Sequence, residues 1–116
     1  MSSLPFSKFS PEEQRIFNKF PKMFRQADLP MEVSCMMWGL EIPEDWYPVI
    51  EKLAEDINNA VPEAVEFAQI KEKWHELRVY YDILREVSAE EMIKIDDLID
   101  GAELKCDEIR QAKKLK

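Results

Sequence analysis

The stretch that decides the fold is residues 64–87, AVEFAQIKEKWHELRVYYDILREV. Apolar and polar residues alternate over 65–67 and again over 77–81, which predicts two strands around a turn at 72–76. The same stretch also has apolar residues spaced three and four apart, as in an amphipathic helix. No glycine or proline separates the two possibilities, and periodicity alone favours the helix.

Amphipathic helices are predicted on both sides of this stretch. Apolar residues spaced three and four apart predict a helix over 45–60, with Asp45 as its N-cap. The capping-box pattern of Ser88 and Glu91 predicts the start of a longer helix over 88–112. Gly101 lies inside this helix, where it costs about 1 kcal/mol relative to alanine, so we expect it to permit close packing.

The N-terminal part of the chain is predicted to be less regular. After an extended lead over 1–9, Ser10 and Glu13 form another capping-box pattern, which predicts a short helix over 11–20. Prolines interrupt residues 21–44, where we expect an extended or irregular segment. The basic tail at 113–116 is expected to fray.

The predicted core combines the apolar faces of these elements. Trp74 is expected to be buried, as is usual for a tryptophan in a chain of this size. The main core residues are expected to be Trp46, Ile50, Leu53, Ile57, Leu77, Val79, Ile95 and Ile99.

Composition and charge exclude several classes of protein. The chain has 116 residues, of which 46% are apolar and 34% charged, so it is not a disordered acidic tail. No apolar run is long enough for a membrane span, and no secretory signal is visible, so we expect a cytoplasmic protein. The net charge of −8 argues against a duplex- or membrane-binding module. Two stretches, 41–66 and 88–108, each carry eight acidic residues and at most two basic ones.

Catalytic chemistry has little support in the sequence. Cys35 and Cys106 stand alone, and the chain has a single histidine, His75, which is expected to be a surface-turn residue. We therefore expect no enzymatic activity, no metal site and no cofactor. A metal-dependent small enzyme is kept as an alternative, because Asp96 and Asp100 lie on one helix face with Glu103 and could bind a divalent cation.

A series of short blocks runs in order along residues 20–108. They are FPKMF (20–24), LPM (29–31), CMMWGLE (35–41), DWY (45–47), QIKEKW (69–74), LRVYY (77–81), and Ala102, Glu103 and Cys106. These blocks resemble a family of small phage and prophage proteins. Members tend to have a hairpin glycine where this chain has His75, and a Cys-x-x-Cys-Gly run where Asp107 follows Cys106 here.

The resemblance favours two antiparallel strands over 64–82. The predicted fold is therefore α+β, a small single domain spanning 1–116 in which helices pack on a short antiparallel β-hairpin. An all-α bundle is the alternative.

The resemblance and the charge together predict a non-enzymatic binding protein. It would inhibit or modulate a host or defence protein in the bacterial cytoplasm by presenting a negative surface like that of a nucleic acid. If the helices over 45–60 and 88–112 pack side by side, their acids would merge into one face. The predicted partner-binding residues are Glu51, Glu55, Asp96, Asp100, Glu103, Trp74 and Tyr80. A further alternative is a single-strand nucleic-acid accessory protein that stacks bases on Tyr80 and Tyr81.

Overall fold

The computed structural model describes residues 8–29 and 34–114. In these ranges the helices are α1 (Pro11–Lys19), α2 (Tyr47–Ala60) and α3 (Ala89–Lys114), and the strands are β1 (Leu40–Glu41), β2 (Val65–Lys73) and β3 (Glu76–Ile83). Short 3₁₀ segments cover Arg25–Asp28, Cys35–Trp38 and Glu44–Trp46. The predicted α+β class is confirmed, and the all-α alternative is wrong. Residues 1–7 of the predicted lead over 1–9, and the last two residues of the predicted tail, lie outside the described residues.

Residues 64–83 form a hairpin, with β2 and β3 antiparallel and joined by the two-residue turn Trp74-His75. Both turn residues have positive φ, 55° and 67°, as the turns that suit a twisted hairpin require. The register shifts between Phe67 and Gln69, so Phe67 and Ile70 both reach the core although they are three residues apart. This bulge accounts for the helix-like spacing in the sequence.

The sheet has the order β1-β2-β3, and α2 connects β1 to β2. β1 runs parallel to β2, with Leu40 opposite Ile70, so the sheet is mixed. Helix α3 follows the hairpin and packs against both α2 and β3. The predicted irregular segment 21–44 is confirmed in the described part of it as 3₁₀ turns and the two-residue β1.

Two of the three predicted N-caps are confirmed. The backbone N–H of Glu13 donates to Ser10 Oγ (3.2 Å), and that of Glu91 donates to Ser88 Oγ (3.1 Å). The expectation for Asp45 is wrong, because a 3₁₀ turn runs directly into α2 and leaves Trp46 as an N-cap without a side-chain hydrogen bond. Asp45 instead forms an ion pair with Lys113 of α3.

The core lies between the sheet and the helices. Seven of the eight predicted core residues are buried, and Val79 is partly buried and packs against the core. The expectation for Trp74 is wrong, since its position at the turn leaves it 79% exposed. Phe17, Phe24 and Phe67 add a row of buried rings with centroid separations of 4.7 and 5.0 Å.

A polar cluster of Gln26, Ser34, Glu66 and Asp82 attaches the 3₁₀ region to the sheet. The first three of these residues are buried, and Asp82 is exposed. Gln26 Nε2 donates to both Glu66 Oε1 and Asp82 Oδ2 at 2.7 Å, and Ser34 Oγ donates to Gln26 Oε1 at 2.6 Å. Arg25 adds two hydrogen bonds to the Glu66 carboxylate, which is 3% exposed as a residue. The two carboxylates oppose each other across β2 and β3, so the cluster joins four separate parts of the chain.

Candidate partner-binding surface

The predicted acids of α2 face α1. The Glu51 carboxylate accepts hydrogen bonds from both terminal nitrogens of Arg15 (3.0 and 2.8 Å) and from Lys19 Nζ (3.0 Å). These bonds lower the pKa of Glu51 to about 2. Glu55 lies 3.9 Å from the same lysine. Both acids therefore lie in a charge cluster between α1 and α2, where basic side chains offset their charge.

The predicted acids of α3 lie along β3. Tyr81 Oη donates to Asp96 Oδ1 at 3.3 Å. Burial raises the pKa of Glu103, Asp100 raises it further, and Glu76 of β3 also raises it while Arg78 opposes them. We call Asp96, Asp100 and Glu103 the α3 acidic row.

The structure therefore separates the predicted acids into two groups. Helices α2 and α3 do pack side by side, as the merged surface required. Yet the α2 acids turn towards α1, and the α3 acidic row turns towards β3. A count of charges along the chain cannot show this, because it does not tell which neighbour each helix face meets.

Trp74 projects from the tip of the hairpin, at the Glu103 end of the acidic row. It is 79% exposed and belongs to a turn whose two residues have left-handed backbone conformations. Glu76, the first residue of β3 after the turn, interacts electrostatically with Glu103, and α3 packs against β3. Sequence reasoning selected Trp74 as a binding residue, and its exposure makes it available for that role.

Tyr80 lies on the opposite face of the sheet from Tyr81, since successive side chains of a strand alternate. It is 46% exposed, and the Lys71 ammonium lies 5.9 Å from its ring centroid. Tyr81 is partly buried and bonded to Asp96, so the two tyrosines form no common stacking platform.

The metal hypothesis relied on three acids of one helix face. Across residues 8–29 and 34–114, no group of three or more His, Cys, Asp or Glu side chains is arranged to hold a metal ion. His75 is exposed in the hairpin turn, as predicted, with its Nδ1 4.0 Å from a Glu72 oxygen. No helix among the described residues is long and apolar enough to cross a membrane.

A feature that the sequence reasoning missed is a groove between α2 and α3. It has a volume of about 560 Å³ and mostly apolar walls, to which Val49 and Leu53 of α2 and Leu98 and Ala102 of α3 contribute. The signal in the sequence was Gly101, which lies on the rim of the groove. A Cβ at this position would meet no atom within 4 Å, so the expectation of close packing around Gly101 inside the chain is wrong.

No protein-family model matches this chain, and no curated protein or solved structure is significantly similar to it.

Proposed function

We propose that this chain is a non-enzymatic binding protein of phage type that inhibits or modulates a basic host or defence protein in the bacterial cytoplasm. Its contact surface comprises Trp74 and the α3 acidic row, whereas Tyr80, on the opposite face of the sheet from Tyr81, lies outside this surface. The observation that carries the proposal is a tryptophan that is 79% exposed in the turn of the hairpin whose strand β3 lies along the acidic row.

The type of residue in the turn supports a role for Trp74 outside the chain. The two-residue hairpin turn requires left-handed backbones at both positions, but it does not require a tryptophan. Trp74 is 79% exposed there, so its ring packs little against its own chain. Tryptophans held in a defined position are typical anchors of protein interfaces.

The acidic row supports the basic character of the partner. Asp96, Asp100 and Glu103 carry no ion pair among the residues the structure describes, unlike Glu51. Unpaired carboxylates attract a basic surface at long range and increase the rate of association. The row thus provides steering, while Trp74 provides buried contact area once the complex has formed.

The test begins with affinity capture from a bacterial lysate, followed by kinetics with the purified partner. Trp74→Ala should increase the dissociation rate by about 10-fold or more, as expected for an interface anchor. The matched control is Trp38→Ala, which removes another exposed tryptophan, 58% exposed and located in the 3₁₀ segment Cys35–Trp38. It should leave the complex unchanged.

Charge reversal tests the second element of the surface. Reversal of Asp96, Asp100 and Glu103 to lysine should slow association about 10-fold and abolish its salt dependence. The matched control reverses three exposed acids elsewhere: Asp28, Glu63 and Glu86. Equal effects of the two triple variants would show that only net charge matters, and an unchanged complex with Trp74→Ala would refute the proposed surface.

A further inference from the structure

Gly101 of α3 has no structural explanation within its own chain. A glycine inside a helix costs about 1 kcal/mol relative to alanine. A Cβ at this position would meet nothing within 4 Å, so neither a close neighbour nor a special backbone angle requires glycine. The residue is exposed and lies on the rim of the α2–α3 groove. The space above Gly101 is therefore open to another molecule.

The residues around Gly101 form a face with internal symmetry. Leu98 and Leu104 lie three residues before and after it, Asp97 and Lys105 four, and Lys94 and Glu108 seven. At 3.6 residues per turn, all of them project on the same side of α3 as Gly101. In this sequence each charge therefore has an opposite charge at the same distance on the other side of the glycine. We call this the Gly101 face.

We propose that two copies of this chain associate through their Gly101 faces, with the α3 helices antiparallel and a two-fold axis at Gly101. This symmetry brings each residue level with its counterpart at the same distance from Gly101 in the second copy. Asp97 then lies level with Lys105 of the second copy, Lys94 with Glu108, and Leu98 with Leu104. Every such contact occurs twice in the dimer.

The glycine at the centre allows the two helices to approach closely, because no side chain separates the backbones at the crossing point. Leu104 is 61% exposed in the single chain, and the groove beside the crossing point, with a volume of about 560 Å³, is mostly apolar. Association would remove both of these apolar surfaces from water.

The charges of the Gly101 face are available for contacts between chains. Within the described parts of the chain, neither Lys94 nor Asp97 forms an ion pair, and Lys105 lies 3.8 Å from Glu108 in a pair that is more than half exposed. Exposed pairs of this kind contribute little to stability, so changing partners costs little. The pattern of charges thus fits a second copy of this chain better than a partner of uniform charge.

This dimer is independent of the proposed function. The α3 acidic row faces β3, whereas the Gly101 face lies on the α2 side and the outer side of the helix. A dimer would leave both copies of Trp74 and of the acidic row free. Failure of one proposal therefore leaves the other standing.

Sedimentation equilibrium of the whole chain measures the association directly. Gly101→Gln places a side chain at the crossing point while improving helix propensity, so we expect dimerisation to weaken at least about 10-fold with the fold intact. Asp97→Lys places the new lysine opposite Lys105 of the second copy, and this repulsive pair occurs twice in the dimer. The substitution should therefore weaken association by about 10- to 100-fold. Asp28→Lys, which makes the same charge change far from α3, should have no effect.

The decisive variant is the exchange Asp97→Lys with Lys105→Asp. It restores opposite charges only if these two positions meet across a two-fold axis, so it should recover most of the association that each single variant loses. Recovery is the result that a general charge effect would not produce. A double variant as weak as the single ones would overturn the antiparallel arrangement.

A covalent trap provides an independent check. In a Cys35→Ser background, Gly101→Cys should form a disulfide between two chains under mild oxidation, because the two positions meet on the symmetry axis. Lys73→Cys, at the end of β2, is the matched control and should remain unlinked. A wild-type chain that is monomeric up to roughly 1 mM, the limit of weak specific association, would refute the proposal.

Discussion

Gly39→Ala should be among the most destabilising small substitutions in this protein. Gly39 has φ 74° and ψ −150°, a backbone region that is essentially restricted to glycine. A Cβ there would overlap Glu13 Oε2 and come within 2.9 Å of the Phe9 ring. The same carboxylate oxygen accepts the backbone N–H of Leu40 at 2.9 Å, so the clash falls on a hydrogen bond that connects α1 to the start of β1.

The magnitude follows from these two effects. The backbone conformation costs alanine about 1–3 kcal/mol. Displacement of Glu13 from the Leu40 amide loses a charge-assisted hydrogen bond, which adds about 1.5–3 kcal/mol. We therefore expect the free energy of unfolding to fall by about 2.5–6 kcal/mol.

Urea denaturation at low protein concentration, where association does not contribute, measures this loss. The matched control is Gly101→Ala, at the only other glycine of the sequence. With open space around it and a helical backbone, it should stabilise the chain by about 0.5–1 kcal/mol. A loss below about 1 kcal/mol for Gly39→Ala would refute the account of Glu13 and the backbone.

Leu53 is 3% exposed, so Leu53→Ala should lower the free energy of unfolding by about 2–5 kcal/mol. Leu84→Ala, at 48% exposure, should lower it by about 0.5 kcal/mol or less in the same denaturation assay. Equal losses would overturn the assigned core face of α2. The pKa of Glu51, lowered from 4.5 to about 2, implies a contribution to stability that is present above pH 4.5 and lost as the pH falls towards 2. Glu51→Gln should remove that part of the acid unfolding curve. An unchanged curve would contradict the ion pairs of Glu51 with Arg15 and Lys19. Burial raises the pKa of the Cys106 thiol to about 12. Alkylation of the native chain near pH 8 should therefore modify only the exposed Cys35, as counted by mass spectrometry. Two modifications would show that α3 is not packed as described.

The sequence predicted best where a local signal and the tertiary structure agree. Ser10 and Ser88 are followed three residues later by glutamate, and both helices begin there. The apolar spacing of α2 identified its buried face because no proline or glycine interrupts that helix beyond its first turn. These signals depend only on neighbours along the chain.

The hairpin over 64–82 was predicted from the family resemblance, whereas periodicity alone favoured a helix, because irregular positions changed the pattern. The bulge between Phe67 and Gln69 places residues three apart on the same side of a strand, which imitates a helix. The turn at Trp74 and His75 uses left-handed backbones without a glycine, so the usual hairpin signal is absent. In both places tertiary packing outweighs the local preference of the sequence. The periodicity of apolar residues gives no information about that packing.

The candidate site was predicted residue by residue but not as a surface. The α3 acidic row lies along β3, with Trp74 in the turn before that strand, while Glu51 is bound by Arg15 and Lys19 of α1. Their separation depends on which helix packs against which face. That information lies in contacts between distant parts of the chain.

The polar cluster that joins the 3₁₀ region to the hairpin has a consequence for the order of folding. Glu66 and Asp82 can meet only when β2 and β3 have the native register, because a slip of one residue would turn a carboxylate towards the core. Gln26 and Ser34 can therefore dock only onto a correctly paired hairpin. The 3₁₀ segments should join late in folding and open first in native-state hydrogen exchange. Their attachment to the sheet therefore depends on prior pairing of β2 and β3 in the native register.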